Sequence, residues 1–216
     1  MRVLAIDTAL AACSVAITDD NELLVRVWEP LQRGHAERLL PMLEEARTAA
    51  GIMYNDLDLI AVTVGPGTFT GIRVGLAAAR GLALATGAPV LGVSTLQALA
   101  WGYEKDGGVV AALDARRGEL YWQAFDGEGR ALNDPKLSKV ETLAAMLPPG
   151  SGSLIGNGAE LAAAHLPAYS VSAPMLPDAA SIGLRCGSLP PPVPGRLPAP
   201  LYLREPDATL PVGRTA

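Results

Sequence analysis

Aromatic residues, cysteine, histidine and surplus positive charge are all scarce in this chain, and each scarcity excludes something. Two cysteines, Cys13 and Cys186, lack C-x-x-C spacing. They exclude a disulfide framework or a cysteine zinc site and read as reduced thiols. The two histidines, His35 and His165, have no second histidine three or four residues away, so no helical metal pair can form. Basic residues number 17 against 22 acidic ones, for a net charge of −5, with no basic cluster. A protein that holds RNA alone needs clustered basic charge to neutralise phosphates, so any RNA contact here must be shared with a partner. The apolar stretch 74–85 is broken by Arg80 and is too short to span a bilayer. Asp7 falls where a signal peptide needs apolar residues. These features predict a cytoplasmic protein with no membrane contact.

What is present is aliphatic. The 216 residues are 50% hydrophobic but only 5% aromatic, enough for a sizeable core of small side chains in α/β layers. Residues 3–7, 13–18 and 22–29 read as three strands, the last two separated by the turn cluster Asp19-Asp20-Asn21. Residues 34–50 read as a helix with Gly51 as its stop. Pro41 requires that this helix start just before it or bend there. A strand at 58–64, a Gly-rich turn, a helix ending near Thr86, a strand at 90–93 and a helix at 95–101 follow. The second half repeats the order: strands at 109–114, 120–125 and around 130–132, a helix at 139–147, a strand at 153–155, a helix at 159–165 and a strand at 169–171.

This order predicts an α/β protein of two tandem RNase H-like lobes, the actin, hsp70 and sugar-kinase architecture, with the second lobe reduced. The first lobe is expected over 1–104 and the second over 105–188. A Pro-rich strap and C-terminal segment, 189–216, would tether 201–204 back onto the body.

The most distinctive stretch is Gly65-Pro66-Gly67-Thr68-Phe69-Thr70-Gly71-Ile72-Arg73. It lacks the lysine of a phosphate-binding P-loop and the G-x-G-x-x-G spacing of a dinucleotide fingerprint. Its glycines suit a tight turn, with Thr68 or Thr70 capping the next helix. Gly71, Gly75 and Ala79 then recur every four residues, flanked by Ala78 and Leu82. On spacing alone this bulk-free stripe suits either a docking helix or the chain's own sheet.

Three chemistries remain open at this stage. Asp7 and Asp114 end the first strands of their lobes, as expected of a small actin-like ATPase or sugar kinase with both acids in an interlobe cleft. Thr68 and Arg116 are the other residues placed to touch a nucleotide or anion. A peptidase would use Cys13 or Ser14 with His35. A binding subunit needs no catalytic residue.

The blocks MRVLAIDTALAACSVAI, GHAERLLPMLEEA, GPGTFTGIRVG, LDARRGELYW and PLYLREPDA resemble the TsaB family, also called YeaZ. The resemblance runs through nearly the whole chain. It implies a non-catalytic subunit of the complex that makes threonylcarbamoyladenosine on tRNA. Its partners would be the transferase TsaD, the ATPase TsaE and a second copy of itself, with tRNA reached only through the complex. The resemblance places Thr95 and Leu99 where TsaD carries an HxxxH metal pair, so no metal and no transferase chemistry are expected. No cofactor is expected to bind tightly, beyond a weak ATP or ADP contact in the complex. It also places the partner surface on the helices at 34–50 and 70–86. Leu39, Leu43, Ala46, Gly71, Gly75, Ala78, Ala79 and Leu82 would form that surface.

Overall fold

A computed structural model describes residues 1–20, 22–103, 107–147, 152–193 and 195–204. Asn21 of the first turn, Pro194 of the strap, the boundary expected at 104/105 and the tail beyond 204 lie outside the described residues. The chain forms two five-stranded sheets. The first contains β1 (Arg2–Asp7), β2 (Ala12–Asp19), β3 (Glu22–Pro30), β4 (Leu59–Gly65) and β5 (Val90–Ser94) in the order β3-β2-β1-β4-β5. The second contains β6 (Val109–Arg116), β7 (Glu119–Phe125), β8 (Lys136–Lys139), β9 (Gly152–Ile155) and β10 (Tyr169–Val171) in the order β10-β9-β6-β7-β8. Read from the opposite edge, the second order reproduces the first. In each sheet the first two pairings are antiparallel and the rest parallel, so the molecule is an α/β protein of two related lobes.

Strand β1 shows why the first sheet reads as a continuous apolar run. Leu4 and Ile6 face a core shared with α1 (His35–Ala50) and α2 (Phe69–Thr86). Val3 and Ala5 face the opposite layer, with α3 (Thr95–Trp101) and α6 (Ala179–Arg185). A sheet covered on both faces has no polar side to alternate with. The α6 layer is built from alanines, Ala5, Ala16 and Ala61. There Gly183 approaches the sheet so closely that a Cβ on it would lie 2.8 Å from Thr18 Cγ2. Helix α6 is absent from the sequence expectations. Although it falls within 105–188, it packs on the first sheet, where the Ala179 N–H donates to Ser14 Oγ at 3.0 Å and Thr18 Oγ1 donates to the Gly183 carbonyl.

The second lobe is thinner. Val110, Ala112, Leu120 and Trp122 share a core with α4 (Leu143–Met146) and α5 (Ala159–Ala163). Val109, Ala111 and Leu113 instead join the first lobe's main core through Leu96 and Leu99 of α3. The two lobes therefore share one helix and a continuous apolar interior.

Helix α1 spans His35–Ala50 with Pro41 inside it, close to the 34–50 expected. Two boundaries differ from expectation. The third strand of the second lobe is β8, not 130–132, where Ala131 makes only an isolated bridge to Phe125. Asn133 competes for that edge: its Oδ1 accepts the Ala124 N–H at 2.9 Å, so the ladder cannot continue until Lys136. The helix expected at 139–147 begins as a 3₁₀ turn, Val140–Thr142, before α4. The strap does return to the body, with the Leu201 N–H donating to the Val64 carbonyl at 2.7 Å.

Candidate functional site

Both lobes place a Gly-x-Gly turn after their fourth strand and tuck it under their first hairpin. In the first lobe this is Gly65-Pro66-Gly67, with Gly65 at φ 110°; a Cβ on Gly67 would overlap the Ala9 carbonyl. In the second it is Gly156-Asn157-Gly158, with Gly156 at φ 91°; a Cβ there would overlap the Ala112 carbonyl. Only glycine permits that approach and that backbone conformation. The two turns face each other across an interlobe cavity of about 650 Å³. Its walls include Leu10, His35, Thr68, Thr70, Asp114 and Arg116.

The sequence-derived cleft residues divide. Asp114 lines the cavity and accepts the Arg116 N–H at 2.7 Å. It pairs with the Arg116 guanidinium at 3.2 Å, Arg116 being 85% exposed. Arg116 sits at φ 65° and Arg117 at φ 58°, a left-handed conformation that costs a side-chain-bearing residue about 1 kcal/mol. That bend carries Arg116 to the cavity wall. Thr68 also lines the cavity, but its hydroxyl caps α2 by accepting the Gly71 N–H at 3.2 Å. Asp7 is not a wall residue. It is fully buried, with Oδ1 accepting from Thr63 Oγ1 at 2.7 Å and Oδ2 unpartnered. Burial pushes its carboxyl up to about 6, against the smaller opposing effect of the Thr63 and Ala9 hydrogen bonds. The expected pair of cleft aspartates is therefore one cleft aspartate and one sealed beneath the floor.

The peptidase set is not assembled either. Burial pushes the Cys13 thiol up to about 12, which removes the thiolate a nucleophile needs. Ser14 Oγ is engaged by the Ala179 N–H. His35 Nε2 lies 2.9 Å from the Leu10 carbonyl and 3.2 Å from that of Ala12. Carbonyls only accept, so Nε2 carries the proton and is occupied as a donor. Thr95 and Leu99 are both buried in the core.

The bulk-free stripe on α2 faces inward. A Cβ on Gly71 would overlap the Thr8 carbonyl, and one on Gly75 would lie 2.6 Å from Thr8 Oγ1. Ala79, Leu39, Leu43 and Ala46 are likewise buried in the chain's own core. Six of the eight residues expected at a partner surface are thus sealed, leaving Ala78 and Leu82 partly exposed. Ala77, Gly81 and Ala85 form a second stripe at the same spacing, and all three are exposed. Beside them Leu84 is 90% exposed, and on α1 Leu40 is 63% exposed. The neighbours distinguish the stripes: Ile72 and Leu76 border the inner one, whereas Arg73 and Arg80 border the outer one.

Among the described residues no helix is long and apolar enough to cross a membrane. A family model described as TsaD, tRNA N6-adenosine threonylcarbamoyltransferase, matches residues 27–186. The tRNA threonylcarbamoyladenosine biosynthesis protein TsaB of Escherichia coli is 45% identical over 128 residues. That match covers 58% of this chain and 55% of the E. coli protein, so the chain aligns with about half that relative's length. An uncharacterized protein of Mycobacterium tuberculosis is 37% identical over 95% of this chain and 93% of its own length. A crystal structure from Pseudomonas aeruginosa, described as having similarity to peptidase YEAZ, superposes with a TM-score of 0.81 at 30% identity. It covers 94% of this chain and 99% of that one. A matching family model across most of the chain, a named relative and a full-length structural match agree that the chain belongs to the TsaD-related family, as a member of its TsaB/YeaZ group.

Proposed function

We propose that this chain is a non-catalytic subunit in the formation of threonylcarbamoyladenosine on tRNA, acting by holding and activating a TsaD-type transferase. The observation that supports it most is the fate of the positions where catalysis would sit. The first-lobe acid, Asp7, is sealed under the cleft, and the positions matched to the transferase's metal histidines hold Thr95 and Leu99. Neither of those is a useful metal ligand in a buried core.

In this reading the partner surface is the solvent side of α1 and α2. Ala77, Gly81 and Ala85 let a helix approach closely, Leu84 and Leu40 supply exposed apolar anchors, and Ala78 and Leu82 form the rim. Helix α2 carries Arg73 and Arg80 and no acid, whereas α1 carries Glu37, Glu44 and Glu45, the last two already paired with Arg47 and Arg38. A second copy, or a paralogue of similar shape, could set α1 against α2 twice across a two-fold axis. TsaE and tRNA would join through the assembled complex, and a weak ATP or ADP contact would fall at Asp114 and Arg116 in the cleft.

The test is reconstitution with the cognate TsaD, TsaE, tRNA, ATP and an activated threonylcarbamoyl donor. Modification is expected only when this chain is present, and none from this chain alone. Turnover by this chain alone, or full activity without it, would refute the proposal.

A further inference from the structure

The Pro-rich strap runs along a track built for it on the first lobe. The Leu201 N–H donates to the Val64 carbonyl at 2.7 Å, and Arg80 of α2 donates to the Pro198 carbonyl at 2.6 Å. Two sheet glycines make room. A Cβ on Gly92 would lie 2.8 Å from Pro198 Cβ, and one on Gly65 would lie 2.9 Å from the Leu201 carbonyl oxygen. A proline-rich segment is already extended in the unfolded chain, so it loses little entropy on lying down here.

Past this track the strap crosses between lobes. Tyr202 stacks on Phe69 at the start of α2, with ring centroids 6.2 Å apart. Arg73 sits over the Phe69 ring at 3.4 Å and donates to the Tyr202 hydroxyl at 3.2 Å. Two residues later Arg204 pairs with Glu119, and the two side chains are only 25% and 28% exposed. Glu119 opens β7, directly after the bend that carries Asp114 and Arg116 to the cavity wall. One short segment therefore grips the N-terminus of α2 on one side of the cleft and the hairpin on the other.

We propose that residues 201–204 form an interlobe clasp that sets the width of the cleft, with the Arg204–Glu119 pair as its releasable end. The two lobes are also joined by α3, the shared core and the packing of α6 on the first sheet, and Tyr121 of β7 packs against that core, so what the clasp governs is the hairpin end at 115–120. Opening the pair would release the hairpin end where β6 meets β7 at Arg116 and Glu119 and let Arg116 move away from the Gly67–Thr68 turn. The clasp is a property of the chain alone and holds whichever partner docks on α2.

The experiment places spin labels at Met53→Cys on the first lobe and Leu161→Cys on the second, both exposed positions. The native cysteines are buried, and the labelled chain is diluted in unlabelled chain. Arg204→Ala and Glu119→Gln should each broaden the interlobe distance distribution. They should also speed amide exchange over 113–119 by roughly threefold to tenfold, the scale of a partly buried ion pair and of local opening. The charge-swapped double variant Glu119→Arg/Arg204→Glu should restore both readings. Single variants whose distances and exchange match the unsubstituted chain, or a swap that restores neither, would overturn the clasp.

Discussion

Asp7 and Asp114 are the sixth residues of the first strands of their lobes, yet they occupy opposite environments. Asp7 is roofed by the hairpin between β1 and β2 and by α2, whose N-terminal turn hydrogen-bonds to Ala9 and Thr8. Asp114 stays at the cavity wall, bonded to an exposed arginine. The same strand order and the same Gly-x-Gly turn thus serve two ends. In the first lobe an 18-residue helix follows the turn and its glycines are drawn onto the hairpin, closing the site. In the second lobe only a five-residue helix follows and the site stays open. A duplicated fold keeps its backbone devices while the depth of packing above them decides which site still meets solvent.

The sharpest way to break this contrast is to interfere with the closing contact. Gly71→Ala drives a Cβ into the Thr8 carbonyl. It should cost more than about 3 kcal/mol, the upper range for overpacking a site that cannot give way. Gly81→Ala, on the same helix but with open space around it, should instead gain up to about 1 kcal/mol. Denaturant midpoints of the two variants decide which face of α2 is inward. Equal effects would remove the distinction between the stripes.

Asp7 offers a second test through pH. Its carboxyl is raised in the folded state to about 6 from 3.8, chiefly by burial. The folded form thus binds the proton more tightly than the unfolded chain. That contribution to stability is fully present below about pH 4 and is lost as pH rises through 6. Asp7→Asn should therefore be more stable than the parent at pH 7.5, by at most about 3 kcal/mol. The gain should fade between pH 6 and 4. Thermal unfolding across that range would show it, and a gain independent of pH would contradict the burial argument.

The smallest expected effect lies in the open lobe. Arg116→Gly relieves a left-handed residue and loses only an exposed ion pair. It should gain about 0.5–1 kcal/mol. A loss of stability would mean that Asp114 depends on Arg116 more than their exposure suggests.

Much of the fold was legible because the first lobe repeats simple signals. Strands covered on both faces read as apolar runs, and Gly51 and Gly87 sit where α1 and α2 end. β8 was missed because Lys136–Lys139 is short and polar at a sheet edge. α6 was missed because its seven residues gain their helicity from packing on a distant sheet, although Asp178, whose side chain accepts the Ala180 N–H, was a readable cap. The stripe expected at a partner surface is buried in the chain's own core, and α2 carries a second, exposed stripe of small residues at the same spacing. Spacing cannot choose between them, but the bordering residues can, aliphatic beside one and arginine beside the other. The burial of Asp7 was not readable, since it depends on a turn some 60 residues away in sequence.

The central claim is that the exposed stripe of α2 seats the partner. It is tested most directly by titrating cognate TsaD onto Gly81→Arg. The substitution adds a long side chain where nothing lies within 4 Å, so the melting temperature should stay within a few degrees of the parent. Binding should weaken by at least about a hundredfold, as for loss of a central interface contact. Binding at the parent's strength by a fully folded Gly81→Arg chain would contradict the account.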